Sequence, residues 1–330
     1  MSISPRSFLR LVLIVIMWPA LAWFFMRTLD GLPAAENWPN ILTPEMAAPI
    51  GLFIILFVVA AWLRTMRWRG LLPHELQTRP GLFSVYVWAF FIAVIAPFRT
   101  GELIRPAWVH HQGGSFADGA GAVVSERLAD VVAIAGLLAL CIVARPQTAT
   151  DFTGLISEEL LIVAPALFAG LLIAHLTGTL SARHLQRRLP KDAATSGLTL
   201  WTSNLLKGLS RAASAAAYVK LMGLTFLIWA LLTAGHIVIL TAMLPSLHWS
   251  GAVAVVTSVN LAGMLPVSPG NIGFYEAAAV AVLAAYGVPP EPALAVAFLV
   301  HVVVLAMTCT LGLAGRLHMA RQGVRLSDLV

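Results

Sequence analysis

Nine apolar runs divide this chain, and their lengths limit what it can fold into. They cover residues 11–26, 46–63, 85–96, 119–144, 160–176, 221–244, 251–265, 272–286 and 293–314. A helix needs about 20 apolar residues to cross a hydrocarbon core about 30 Å thick. The run 85–96 reaches only about 18 Å at 1.5 Å per residue, so it cannot cross alone. The runs 251–265 and 272–286, on either side of Pro266, are borderline at about 22 Å each. The chain is 59% hydrophobic and 11% charged, whereas soluble proteins average about 25% charged residues. Such a chain cannot cover a water-facing surface, so its solvent is the bilayer. Soluble enzymes, secreted disulfide scaffolds and disordered proteins are excluded together. Cys141 and Cys309 lie inside apolar runs, which argues against a disulfide framework and a thiolate zinc site.

Basic residues set the expected orientation. Arg6 and Arg10 precede the first run, and Arg64, Arg67, Arg69 and Arg79 fill the loop expected after the second. Arg183, Arg187, Arg188, Lys191, Lys207, Arg211 and Lys220 separate the fifth from the sixth, and Arg316, Arg321 and Arg325 form the tail. These are 16 of the 21 basic residues, and the positive-inside rule assigns them to the cytoplasm. The loops holding Asp30, Glu36 and Glu45, and Asp151, Glu158 and Glu159, carry only Arg27 and Arg145 and face outward. An odd number of crossings must then separate Arg79 from Asp151. Residues 85–96 and the polar stretch after them therefore enter from the cytoplasm and return, and 119–144 crosses. By the same logic 251–265 and 272–286 enter from outside and return there.

The expected fold is an all-α polytopic membrane protein. It has about six full transmembrane helices and two oppositely oriented re-entrant hairpins, in an inverted-repeat-like arrangement. Two true crossings for the second hairpin are the alternative, and they leave every loop on the same side. Residues 1–330 form a single integral membrane domain. One half covers about 46–177 with a hairpin at 85–112, and the other about 221–315 with a hairpin at 251–287. A cytoplasmic amphipathic linker, 178–220, joins them. Within it Leu198, Trp201, Leu205 and Leu209 recur at helical spacing over 196–218, as expected of a surface helix or of an elbow between spans. The first run ends near Ala20-Leu21-Ala22 like a cleavable signal peptide, but it continues to Met26 and is read as a retained span. Both termini are expected on the cytoplasmic side of a bacterial inner membrane.

Two broken segments carry the chemistry. The first holds Pro97, Arg99, Gly101, Glu102 and Arg105; the second holds Pro266, Ser268, Pro269, Gly270, Asn271, Gly273 and Glu276. Proline removes an amide donor and glycine permits a tight reversal. Irregular backbone at membrane depth survives only inside protein or along a wet cavity, and broken helices in two halves mark transporter sites. Two ordinary extramembrane turns are the alternative. Arg99, Glu102 and Arg105 are spaced to share one helical face, and Glu126, Arg127 and Asp130 follow in the next helix. Six uncompensated charges at about 3 kcal/mol each would cost roughly 18 kcal/mol in the membrane. They must pair, face water, or lie at the interface. If they lie inside, three arginines suit a phosphate, which a guanidinium binds in bidentate fashion. His110 and His111 lack a third ligand at metal spacing. His301, in the last run, is either a packed histidine or an intramembrane functional group. No metal or cofactor is expected, and no nucleotide-binding or hydrolase motif is present.

Four motifs together resemble the membrane domain of lysylphosphatidylglycerol synthases, a flippase-like family that also occurs as stand-alone proteins. They are Leu63-Arg64-x-x-Arg67-Trp68, Pro97-x-x-x-Gly101-Glu102-x-x-Arg105, Glu126-Arg127-Leu128-x-Asp130 and Ser268-Pro269-Gly270-Asn271-Ile272-Gly273-x-x-Glu276. The resemblance covers roughly residues 50–315. It implies a lipid-translocating domain without headgroup synthesis, with both broken segments around a central cavity. Asn271 stands where the family often has a second glycine, and His301 where it often has an arginine. The partners so implied are membrane lipids: anionic or aminoacylated phospholipids, or isoprenoid-linked lipids. A lipid-synthesising enzyme and a second copy of the chain are the candidate protein partners; nucleic acid is not one. Alternative functions are an intramembrane lipid transferase using Glu102, Glu126 or Glu276 as general base, or a non-catalytic partner of a lipid-modifying enzyme.

Overall fold

The computed structural model describes residues 43–144, 160–188, 197–264 and 268–324. The run 11–26, with its signal-peptide alternative, lies outside the described residues. So do Pro266, the acidic loop 151–159 and both chain ends. Ten α-helices follow one another among the described residues: α1 Ala47–Gly70, α2 Leu82–Ile95, α3 Ile104–His111, α4 Phe116–Val143, α5 Leu160–Arg188, α6 Gly197–Ser210, α7 Ala215–Met243, α8 Trp249–Ala262, α9 Phe274–Ala285 and α10 Pro290–Arg321. Helices α1, α5, α7 and α10 are long and apolar enough to cross a membrane. Their 24 to 32 residues correspond to about 36–48 Å. Helix α4 is also long at 28 residues, but Asp118, Glu126, Arg127 and Asp130 punctuate it. Helices α2 and α8 have 14 residues each, about 21 Å.

Helix α4 is the hub, touching α1, α3, α5, α6, α7 and α8. Helix α1 lies along α7, and α10 along α2. Two apolar cores result. Phe53, Ile228, Ile239, Val253, Leu283 and Val296 belong to one, and Trp68, Val85, Trp108, Ala129 and Met319 to the other. The outward faces are apolar as well: Ile55, Trp62, Ile162, Ile173, Leu313 and Leu317 are all exposed. Contiguous apolar surface on this scale suits lipid, not water. Several buried hydroxyls are satisfied within their own helices, as when Thr65, Thr257 and Thr308 donate to carbonyls four residues back.

Two local features differ from the sequence reading. Helix α1 continues to Gly70, so Arg64 and Arg67 are helical residues and not part of a loop. No Gly, Pro or Asn intervenes between Leu63 and Gly70 to stop it, and burial of Arg67 and Trp68 holds its last turns in place. Residues 196–218 do not make one helix: α6 ends at Ser210, and α7 restarts at Ala215, where the Ser214 Oγ accepts from the Ala217 N–H at 3.2 Å. Such a hydroxyl cap fixes a helix start. Helix α6 leaves Leu198 and Trp201 exposed and buries Ser203 and Gly208. The reason is close approach to α4. A Cβ on Gly208 would meet the Asp118 carbonyl oxygen at 2.4 Å, and one on Gly121 the Leu205 carbonyl oxygen at 2.4 Å.

Candidate functional site: a buried arginine–carboxylate network

One turn of α4 carries Glu126, Arg127 and Asp130, and the neighbouring helices aim guanidinium groups at it. Arg67 of α1 is 2% exposed and Glu126 is fully buried. The Arg67 Nε donates to Glu126 Oε1 at 3.2 Å, and Nη1 and Nη2 grip the two Asp130 oxygens at 2.7 and 3.2 Å. Nη1 also donates to the Thr225 hydroxyl of α7 at 3.0 Å. Arg105 of α3 reaches the other Glu126 oxygen and donates to Glu102 Oε2 at 2.6 Å. Its guanidinium lies 4.9 Å from the Tyr86 ring centroid and 5.8 Å from that of Trp68. The Trp229 indole completes Asp130 at 3.0 Å. Buried charges survive only when paired and hydrogen-bonded, and this set meets that condition.

Arg127 is the exception. Its side chain is 39% exposed, and its closest carboxylate oxygens, on Asp130 and Glu102, are 3.5 and 3.8 Å away. Its Nε is buried with no hydrogen-bond partner. Arg64 and Arg99 lie near the same carboxylates as Arg67, Arg105 and Arg127, so the cations around Glu102, Glu126 and Asp130 outnumber them.

The first broken segment departs from the expected α-helical face. Residues Pro97–Leu103 form a 3-10 turn, and Arg99 adopts a positive φ of 51°. The Arg99 Nη1 donates to the Gly263 carbonyl at 2.7 Å. Gly101 does not serve by a left-handed turn. A Cβ there would meet the Ala93 amide nitrogen at 2.1 Å and the Ala89 carbonyl oxygen at 2.4 Å, so glycine lets the turn lie directly against α2.

The second broken segment supplies the left-handed residues. Gly270, Asn271 and Gly273 have φ of 67°, 55° and 86°. Pro269 and Gly270 are buried, and the Ser268 hydroxyl donates to the Ile272 carbonyl at 2.9 Å. One Glu276 oxygen accepts from the Gly273 N–H at 2.7 Å, closing the start of α9; the other meets His301 Nδ1 at 2.7 Å. The His301 ring stacks on Tyr275 at 4.1 Å. Glu276 and His301 thus form their own buried cluster, with their own partners. The two broken segments meet at Gly263: its carbonyl takes Arg99, and the Asn271 amide packs against its α-carbon.

Residues 7–312 match the family described as the lysylphosphatidylglycerol synthase TM region. The chain belongs to that family. It is a multi-pass membrane protein of a family tied to membrane lipid handling. No curated protein and no solved structure matches the chain. Within this family member, Arg67 is the site residue that the loop reading missed, together with its helpers Thr225, Tyr86 and Trp229. The available signal was the uninterrupted helical stretch through Arg64-x-x-Arg67-Trp68, which places Arg67 a turn before the helix end.

Proposed function

We propose that this protein moves a phosphate-bearing lipid headgroup between membrane leaflets, with the acyl chains remaining in lipid. The headgroup belongs to a phospholipid or to another lipid-linked carrier, aminoacylated, glycosylated or isoprenoid. The observation that carries this reading is Arg127: a partly exposed guanidinium with unfilled donors at the edge of an otherwise saturated network. An under-paired arginine at membrane depth is costly, and a functional ligand is the default explanation for its presence. A phosphate oxygen pair is the natural complement of its planar fork. Arg99 adds a second cation beside the junction of the two broken segments.

The matching topology has six spans and two oppositely entering hairpins, α2–α3 and α8–α9, with both termini cytoplasmic in a bacterial inner membrane. The 14-residue lengths of α2 and α8 and the Arg99–Gly263 contact support it. Arg127→Gln in proteoliposomes tests the function. Its ion pairs are long and half-solvated, worth about 0–1 kcal/mol, so folding should be preserved. Leaflet exchange of a fluorescent anionic phospholipid, read by quenching of the outer leaflet, should fall about tenfold or more, the equivalent of one lost charge-assisted contact. Parent-level exchange by a stably folded Arg127→Gln protein overturns the proposal.

A further inference from the structure

A second feature lies on the opposite side of α4 and takes no part in the charged network. Helix α5 is the least buried of the long helices, with only 11% of its apolar window covered. It leans on α4 and α6 so as to leave a groove. The deep part, about 290 Å³, is walled by Ser125, Leu128 and Val131 of α4 and by Leu171, His175 and Gly178 of α5. It is almost wholly apolar. Gly178, Ala182 and Leu209 also line a wider mouth of about 770 Å³. That mouth ends at Ser181, His184 and Arg188, which repeat at helical spacing along one stripe of α5. His184 and Arg188 are exposed, and no acidic residue lines either part of the groove. Together the two parts are in the size range of ordinary ligand sites, about 300–1,000 Å³.

We infer that this groove is a binding site for one anionic phospholipid, its acyl chain in the trough between α4, α5 and α6 and its phosphate at His184 and Arg188. The argument is one of matched chemistry along one line. An apolar trough at a lipid-facing helix admits a hydrocarbon chain, and its open end presents the Arg188 guanidinium, the His184 imidazole and the Ser181 hydroxyl where a headgroup must emerge. Arginine favours a phosphate with a net negative charge over a zwitterionic headgroup, whose own cation cancels the attraction. The space beside Gly178 is open, since a Cβ at that position would have nothing within 4 Å. The site is separate from Arg127 and does not depend on the translocation reading.

Photocrosslinking of the full-length protein in nanodiscs tests it, with diazirine-tagged acyl chains on phosphatidylglycerol or phosphatidylcholine. Adducts should map to the α4, α5 and α6 residues of the groove, with phosphatidylglycerol favoured about fivefold, the gain of one charge-assisted contact. Gly178→Trp fills open space and should suppress the groove adducts while the melting temperature stays at the parent value. Arg188→Gln, at an exposed position that folding does not need, should bring the two lipids to equal labelling. Equal labelling of the parent by both lipids, or groove adducts unaffected by a folded Gly178→Trp protein, overturns the inference.

Discussion

Glu126→Gln measures how strongly the buried network ties the helices together. The carboxylate stands on α4, is fully buried, and accepts from Arg67 on α1 and from Arg105 on α3. Two unit charges 4 Å apart at an effective dielectric of 20 attract by about 4 kcal/mol. Breaking a buried pair by removing one partner costs about 3–5 kcal/mol. The lower end applies here because neither arginine is stranded. Arg67 keeps Asp130 and Thr225, and Arg105 keeps Glu102 and the faces of Tyr86 and Trp68. A loss of about 3 kcal/mol in a chain of this size lowers Tm by roughly 4 °C. Thermal unfolding in nanodiscs, followed by tryptophan fluorescence, reads this shift directly. Glu102→Gln is the internal control. Its side chain is 21% exposed, and it accepts from Arg105, so about 1 kcal/mol and about 1–2 °C are expected. If Glu126→Gln shifts Tm no more than Glu102→Gln does, the network is solvated and the reasoning fails.

Gly101→Ala should cost more than its size suggests, since the added carbon falls on the α2 backbone and not on a movable side chain. Overpacking of this kind costs about 1–3 kcal/mol, and the yield of monodisperse protein after size exclusion should fall sharply, whereas Gly178→Ala should not change it. For the topology, a cysteine placed at Arg187 in a protein lacking Cys141 and Cys309 should stay unlabelled by an impermeant maleimide in intact cells. Labelling from outside would reverse the assigned orientation.

The apolar runs were legible because lipid replaces water around this fold: a lipid-facing helix needs no polar stripe, so its length stands out in the sequence. The short arms were legible for the same reason, and α2 and α8 are correspondingly short. Helix ends were harder to place. Arg64 and Arg67 looked like a solvated loop because charge usually marks one, and only three-dimensional pairing reveals that Arg67 is buried. Leu198 and Trp201 marked an amphipathic surface helix, but they did not show how α6 meets α4. The contact is made through Gly208, because two helices that approach at glycine need no large side chains between them. Glu126 and Asp130 were visible as costly charges, but their main partner was not.

That partner changes the logic of the site. With Arg99, Arg105 and Arg127 set against Glu102, Glu126 and Asp130, three cations face three anions, and mutual neutralisation needs no ligand. Arg67 removes that symmetry. It takes both Asp130 oxygens and one from Glu126, so the carboxylates are filled from the buried side and Arg127 is left with contacts of 3.5 and 3.8 Å. Exchanging Arg127 and Asp130 therefore does not preserve the attraction between them. A guanidinium at position 130 would stand against Arg67 and lose the Trp229 indole donor. Such a double variant should unfold for electrostatic reasons alone, whether or not a lipid binds. The single Arg127→Gln change is the cleaner experiment because it removes the surplus cation and leaves every buried hydrogen bond of Arg67 and Arg105 in place. In a low-dielectric setting a surplus cation that the protein does not neutralise itself is neutralised by an anion from outside. On the proposed reading, that anion is the phosphate of a lipid.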